Sequence, residues 1–167
     1  KSNLNKKIIG QEYAINCVTK SIKSFKLNVF NWAPKILAFL FLGPTGVGKT
    51  ELAIDIANTF YGGKITKFNM SQYADESSIS TLMGSSNGYV DSDKTGVLVK
   101  AIKEKPRSVL LLDEIDRAHN KILNILLGLI DNGYIEDQET RKWDASNIII
   151  IATSNVGSQK ILEKDIK

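Results

Sequence analysis

Apolar residues along the chain follow two patterns, short continuous runs and longer stretches with one apolar helical face. Four runs have the length of a strand: ILAFLFL (36–42), ITKFNM (65–70), SVLLLD (108–113) and NIIIIATSN (147–155). Four stretches are typical of helices: residues 11 to about 29, ELAIDIANTF (51–60), GVLVKAIKEK (96–105) and NKILNILLGLIDNG (120–133). Strands that alternate with helices predict an α/β fold, a parallel sheet with helices on both faces.

Composition limits the class of protein. The chain has 167 residues, enough for one domain with its own core, and 43% of them are hydrophobic. No apolar run approaches the length of a membrane span. The net charge of +4 comes from scattered lysines rather than one run, so a solvated surface is expected instead of a nucleic-acid arm. The single cysteine, Cys17, excludes an internal disulfide and is expected near the core of its helix.

A phosphate-binding loop is the first candidate site. The segment GPTGVGKT matches G-x-x-x-x-G-K-[ST], follows a predicted strand and opens a predicted helix. Its glycines would let main-chain N–H groups face a phosphate, at the positive end of the helix. A glycine-rich turn that binds nothing is the alternative. The candidate residues for ATP are Gly43, Pro44, Thr45, Gly46, Val47, Gly48, Lys49, Thr50 and Glu51.

Two acids end the segment SVLLLDE (108–114), an apolar strand whose carboxyl end is the edge where such sheets bind ligands. Asp113 is the candidate Mg²⁺ ligand together with the hydroxyl of Thr50, and Glu114 is the candidate base for an attacking water. A helix cap with solvated charge is the alternative for this pair. Asp116 is interpreted as helix-start charge.

Asn155 ends the predicted strand 147–155 and is a candidate catalytic residue beside the γ phosphate. The strand run also contains the polar residues Thr153 and Ser154 near its end. The alternative for Asn155 is a turn in which its side chain bonds to its own backbone.

These motifs together resemble the Clp ATPases, AAA+ disaggregases and unfoldases of the ClpA, ClpB, ClpC and ClpV branches. The resemblance rests on IIGQ, FLFLGPTGVGKTEL, NMSQY, GYV, LLLDEIDRAH, NILL, DNG and TSNVGS, over about residues 7–159. It is to the large α/β subdomain of their second, C-terminal ATPase module. It implies an AAA+ P-loop fold, ATP and Mg²⁺ as cofactors, and a homo-hexameric ring with ATP at subunit boundaries. It further implies a location in the cytoplasm, or in the matrix or stroma of an organelle.

The resemblance gives roles to residues outside the phosphate site. It implies that Ile8 and Ile9 line the adenine pocket, although a hydrophobic staple before a helix is the alternative. It implies that Tyr89 and Val90 project into the ring channel and grip polypeptide, since an exposed aromatic offers contact area that ignores sequence. A tyrosine folded onto its own domain is the alternative. Asp91 stands where the family has glycine.

Other segments depart from the family or are expected elsewhere. Residues 131–147 match a second channel loop, with Gln138 to Thr140 in place of glycines. The family's arginine finger, second sensor arginine and fifth strand are expected beyond Lys167. Residues 1–167 are therefore expected to be a piece of a longer protein. On its own, this piece is expected to hydrolyse ATP slowly.

The leading hypothesis for function is an ATP-driven motor that threads unfolded or aggregated protein through a ring, with a possible partner protease or adaptor. The alternatives are a module that binds ATP only to hold the ring together, and a ClpV-like remodeller of one protein assembly. A motor on nucleic acid is disfavoured, because the GYV loop has no basic cluster near it.

Overall fold

A computed structural model describes residues 12–27, 35–84, 95–137 and 139–157 of the chain. Two short 3₁₀ turns, Met70–Tyr73 and Ile115–Arg117, follow the second and third strands. The regular elements in chain order are α1 (Glu12–Lys26), β1 (Leu37–Leu42), α2 (Lys49–Tyr61), β2 (Ile65–Asn69), α3 (Ser78–Met83), α4 (Val97–Glu104), β3 (Val109–Asp113), α5 (Asn120–Asn132), β4 (Tyr134–Glu136), β5 (Lys142–Asp144) and β6 (Ile149–Ser154).

Four strands form one parallel sheet in the order β1–β6–β3–β2. The last of the described strands, β6, therefore lies between β1 and β3. Its register pairs Leu42 of β1 with Ser154, while β2 pairs Asn69 with Asp113 of β3. The carboxyl ends of all four strands consequently lie along one edge of the sheet. The expected α/β fold is confirmed.

Helices cover both faces of the sheet, and each face has its own apolar cluster. One cluster joins α1 and α2 to Val109, Leu111, Ile149 and Ile151, all of which are fully buried. The other joins α4 and α5 to alternate residues of the same strands, including Leu110. Because successive strand residues point to opposite faces, burial on both faces requires every position to be apolar. This requirement explains the unbroken apolar runs of β3 and β6.

β1 is covered unevenly within the part of the chain that the structure describes. Its side chains alternate between half-buried and exposed. Phe39 and Phe41 pack against the α1–α2 cluster, whereas Leu40 and Leu42 on the other face are 58% and 56% exposed. The continuous apolar run of β1 therefore does not mark complete burial here.

The sequence patterns missed two short features, α3 and the antiparallel hairpin of β4 and β5. The hairpin occupies the segment expected to be a second channel loop, and Gln138 at its turn lies outside the described residues. The Asp137 carboxylate holds this turn. Its Oδ1 accepts the main-chain N–H groups of Glu139 and Arg141, each at 2.9 Å, and its Oδ2 accepts Arg141 Nε at 2.7 Å and Trp143 Nε1 at 3.0 Å.

Burial alone would raise the pKa of Asp137, whose side chain is only 6% exposed. The hydrogen bonds from Trp143, from the Arg141 guanidinium and from the two main-chain N–H groups outweigh burial and lower the pKa well below its usual range. The hairpin is thus fixed by an ionised carboxylate with four donors.

Two single residues complete the comparison with expectation. Cys17 is exposed, not near the core, because the buried stripe of α1 passes through Ile15, Val18, Thr19 and Ile22. His119 is the N-cap of α5, and its Nδ1 accepts the N–H of Lys121 at 3.2 Å. In the described ranges, no helix is both long and apolar enough to cross a membrane.

Gly96 marks a close approach between the start of α4 and the end of α3. A Cβ at this position would lie 2.2 Å from the Met83 carbonyl carbon and 2.3 Å from both the Gly84 nitrogen and the Leu82 oxygen. All three neighbours are main-chain atoms, so no side chain can rotate away to make room.

We expect Gly96→Ala to lower the free energy of unfolding by about 1–3 kcal/mol or more, as overpacking does. Gly128→Ala is the matched control, because its Cβ would come no closer than 4.0 Å to Asn132 Nδ2. The control should stabilise α5 by up to about 1 kcal/mol, the helix propensity difference. Urea unfolding of both variants checks this, and equal midpoints would contradict the close approach.

We expect Asp137→Asn to lower the free energy of unfolding at pH 7 by about 1–3 kcal/mol, because donors lose a buried charged acceptor. Since the folded-state pKa lies below the unfolded value, this stabilisation is complete above about pH 4–5 and is lost as the pH falls further. Asp144→Asn is the control, as Asp144 is exposed and its carboxylate accepts hydrogen bonds from Ser146, a neighbour two residues away. Unfolding at pH 7, 5 and 3.5 tests this; a wild-type advantage that persists undiminished at pH 3.5 would contradict it.

Candidate functional site

The loop between β1 and α2 has the backbone that its glycines allow. Gly46 and Gly48 have φ values of +83° and +89°, in the left-handed region. A Cβ on Gly46 would meet nothing within 4 Å, so the requirement there is backbone conformation rather than space. The N–H of Gly43 donates to the Ser154 carbonyl at 3.3 Å, which ties the loop to β6.

Lys49, the first residue of α2, turns back over this loop. Its Nζ donates to the carbonyl oxygens of Gly43 and Pro44, the latter at 2.8 Å, and to Asn155 Oδ1 at 2.9 Å. Lys49 and Asn155 are far apart in the sequence and meet because β6 lies beside β1. The half-buried ammonium of Lys49 is thus at the mouth of the loop, where a phosphate would bind.

Asp113 and Glu114 lie at the end of β3, on the other side of β6. Lys67 Nζ lies 2.7 Å from Asp113 Oδ2, and Thr153 Oγ1 donates to Asp113 Oδ1 at 2.5 Å. Burial raises the pKa of Asp113, but the bonds from Lys67 and Thr153 and the nearby charges of Lys67 and Lys49 outweigh it and lower the pKa. Asp113 is therefore ionised at neutral pH, as a metal ligand must be.

Glu114 has an unusual backbone for a residue with a side chain. Its φ and ψ of 57° and 51° are left-handed, a conformation that costs about 1–3 kcal/mol and persists only where neighbours hold it. The N–H of Glu114 donates to Thr153 Oγ1 at 3.2 Å, and its Oε2 lies 3.4 Å from Arg117 Nε. Such strain is typical of functional sites.

One cavity joins these groups. It has a volume of about 380 Å³ and opens at the carboxyl edge of the sheet. Its lining comes from the loop, from α2 and from the ends of β3 and β6: Thr45, Gly46, Gly48, Lys49, Thr50, Glu51, Asp113, Glu114, Thr153 and Asn155.

The donor set of this cavity fits a magnesium nucleotide. The Thr50 hydroxyl and the Asp113 carboxylate are hard oxygen ligands of the kind that Mg²⁺ prefers. No group of three or more His, Cys, Asp or Glu side chains that could hold a metal occurs in the described ranges. Mg²⁺ would therefore need phosphate oxygens and water to complete its shell, as it does in phosphate-transfer sites.

The structure brings together the candidate residues of the loop, the two acids and Asn155. Glu51 is in the first turn of α2, and Val47 is at the exposed side of the loop. The candidate adenine residues Ile8 and Ile9, and the candidate channel residues Tyr89 and Val90, lie outside the described residues. Their roles stay predictions.

Sequence reasoning missed Lys67 and gave no role to Thr153. Both contact Asp113. The sequence did carry a sign of their position, because each is a polar residue within a strand. The residue two positions before each one, Ile65 or Ile151, packs in or against the α1–α2 cluster. Residues two apart share a face of a strand, so both side chains point toward the α2 side of the sheet. Their partner, however, depends on strand order, which the sequence alone did not reveal.

Comparison with known proteins agrees with a nucleotide-binding site in this chain. The family model described as AAA domain (Cdc48 subfamily) matches residues 34–167. The chaperone protein ClpB of Staphylococcus epidermidis is 40% identical over 162 residues, which cover 96% of this chain and 19% of that protein. ClpB of Gloeobacter violaceus is 41% identical over 161 residues, 95% of this chain and 18% of that protein. The chain thus spans about a fifth of the length of these relatives.

A solved structure has the same fold. The closed-state cryo-EM reconstruction of Hsp104 with ATPγS and FITC-casein superposes with a TM-score of 0.88 at 33% identity. The match covers 98% of this chain and 28% of that one. An agreement this close over almost the whole chain shows that the two chains share a fold.

Proposed function

The chain belongs to the family described as AAA domain (Cdc48 subfamily), and from this premise and its similarity to ClpB we propose that it is the ATP-hydrolysing module of a Clp-type protein disaggregase or unfoldase. The observation that carries the proposal is the single cavity in which Lys49, Asn155, Asp113 and Glu114 meet. A retired nucleotide site would need none of the four in this arrangement.

Binding is the first step to which these residues would contribute. The loop would surround the β phosphate with main-chain N–H groups, and Lys49 would exchange the carbonyls of Gly43 and Pro44 for phosphate oxygens. Thr50 and Asp113 would hold Mg²⁺. When bound, Mg²⁺ neutralises phosphate charge. Ile8 and Ile9 are proposed to enclose the adenine.

Hydrolysis would then use Glu114 and Asn155. The Glu114 carboxylate would accept a proton from water as the water oxygen attacks the γ phosphorus and the bond to the bridging oxygen breaks. Asn155, next to Lys49, would orient the γ phosphate or the water. The positions of both residues are set by β6 and its contacts with β3.

The protein substrate would be gripped by Tyr89 and Val90 in the channel of a homo-hexamer. Two observations on relatives support this part of the proposal: the ClpB proteins are named chaperones, and the Hsp104 structure was determined with FITC-casein. The acidic Asp91 and Asp93 beside Tyr89 would favour clients with basic or neutral segments. We propose that the module is the second, C-terminal ATPase of such a protein.

We expect Glu114→Gln in the full-length protein to lower the rate of ATP hydrolysis by about 10²–10⁴-fold, the usual contribution of a general base. ATP should still bind, since Gln keeps the shape of Glu. Asp116→Asn is the matched control, because Asp116 is an exposed acid two residues away and outside the cavity. Phosphate release measures the rate and filter binding measures retained ATP. Turnover close to wild type in Glu114→Gln would exclude Glu114 as the base.

We expect unfolded protein to stimulate ATP hydrolysis by the full-length protein, and Tyr89→Ala to abolish both that stimulation and protein remodelling. The aromatic contact with the substrate would be lost. Tyr13→Ala is the control, as Tyr13 is 84% exposed on α1, outside the predicted channel loop. If Tyr89→Ala is stimulated as strongly as the wild type, residues other than Tyr89 contact the substrate. A wild-type rate indifferent to unfolded protein would favour a ring-assembly module or a remodeller of one assembly.

A further inference from the structure

We propose that Thr153 is a positioning residue that sets Asp113 and Glu114 relative to each other through its one hydroxyl group. The inference rests on the proposed function, in which these acids hold the metal and activate water. Thr153 Oγ1 lies 2.5 Å from Asp113 Oδ1 and 3.2 Å from the main-chain nitrogen of Glu114.

The direction of the two hydrogen bonds follows from the chemistry of the groups. An ionised carboxylate can only accept and a main-chain N–H can only donate. The Thr153 hydroxyl must therefore donate its proton to Asp113 and accept the N–H of Glu114. A hydroxyl can do both at once, whereas the isosteric side chain of valine can do neither. Thr153 is also only 2% exposed, so water cannot easily replace it.

The site of contact is the point where the regular sheet ends. The main-chain pairing of β3 with β6 stops at Leu112 opposite Ala152. One residue farther along, the side chain of Thr153 takes the place of a main-chain acceptor for Glu114. The bond helps to hold Glu114 in its left-handed backbone at the position where this residue lines the cavity.

The two oxygens of Asp113 have partners of different kinds. Oδ1 is held by the buried hydroxyl of Thr153, whereas Oδ2 is paired with Lys67, whose side chain is 51% exposed. An exposed ion pair is weak and exchanges readily. Thr153 therefore fixes the rotation of the carboxylate and leaves Oδ2 as the oxygen that can exchange Lys67 for a cation.

The test compares Thr153→Val, which removes the hydroxyl and keeps the shape, with Thr153→Ser, which keeps the hydroxyl. In the full-length protein, we expect Thr153→Val to lower both the ATPase rate and the apparent Mg²⁺ affinity during nucleotide binding by about 10–100-fold, as loss of a residue that orients a metal ligand does. Thr153→Ser should remain within a few-fold of wild type. Ser108→Ala is the control, because it removes another fully buried hydroxyl, at the opposite end of β3.

A second readout needs neither metal nor nucleotide. Hydrogen exchange at the Glu114 amide should be slow in the wild type and in Thr153→Ser, and fast in Thr153→Val. Fast exchange in the wild-type protein would overturn the proposal even if Thr153→Val failed to fold. Equal impairment of the Ser and Val variants, or wild-type behaviour of Thr153→Val, would also overturn it.

The two proposals can fail separately. If the wild-type protein hydrolyses no ATP, the proposed function fails, but amide exchange and Mg²⁺-dependent binding of a fluorescent nucleotide still report on Thr153. If the wild type is active and Thr153→Val is unchanged, only the positioning role fails. We expect Ser108→Ala to lose stability without losing activity. The same result in Thr153→Val would contradict the positioning role of Thr153.

Discussion

The insertion of β6 between β1 and β3 is the constraint on which the candidate site depends. It places Asn155 and Thr153 between two motifs that are more than sixty residues apart in the sequence. Lys49 on one side contacts Asn155, and Asp113 and Glu114 on the other contact Thr153. Register matters as much as order, since a shift of one residue would turn the polar end of β6 to the opposite face. In the observed register, the fully buried isoleucines of β6 pack on both faces of the sheet.

The site is also a balance of charges that ligand binding would rearrange. Lys49 is satisfied by carbonyl oxygens and an amide oxygen, and Lys67 and Arg117 are paired with Asp113 and Glu114. Nucleotide binding would bring negative phosphates to Lys49 and a divalent cation to Asp113. Lys49 would then be paired with phosphate and Asp113 with the cation, so neither charge would lack a partner. Lys67, displaced from Asp113, would have to move into solvent. The exposed position of Lys67 permits this.

Much of this structure was predictable from the sequence because the strongest signals were local. The loop glycines, the strand before them and the acids after a buried strand each occur within a few residues. α3 and the β4–β5 hairpin were missed because they are six residues long and three residues per strand, too short for a period to show. The hairpin is held instead by Asp137, whose four donors come from side chains and main chain that no apolar pattern marks. Cys17 was placed wrongly because a helical stretch was judged as a whole, whereas the buried stripe is narrow. The partners of Lys67 and Thr153 depend on which strands are neighbours, and that information is not local.

The chemistry is concentrated where regular structure ends, and the reason is physical. Inside a sheet, each main-chain N–H is committed to a neighbouring strand, and each side chain direction is fixed by alternation. At the end of β3 the ladder stops, so Glu114 can adopt a left-handed backbone where it lines the cavity. A base must also be held in place once its backbone has this conformation. The buried hydroxyl of Thr153 on the adjacent strand restricts the motion of both acids, since it binds the backbone of Glu114 and the carboxylate of Asp113. The same atom therefore couples the placement of the candidate base to the orientation of the candidate metal ligand.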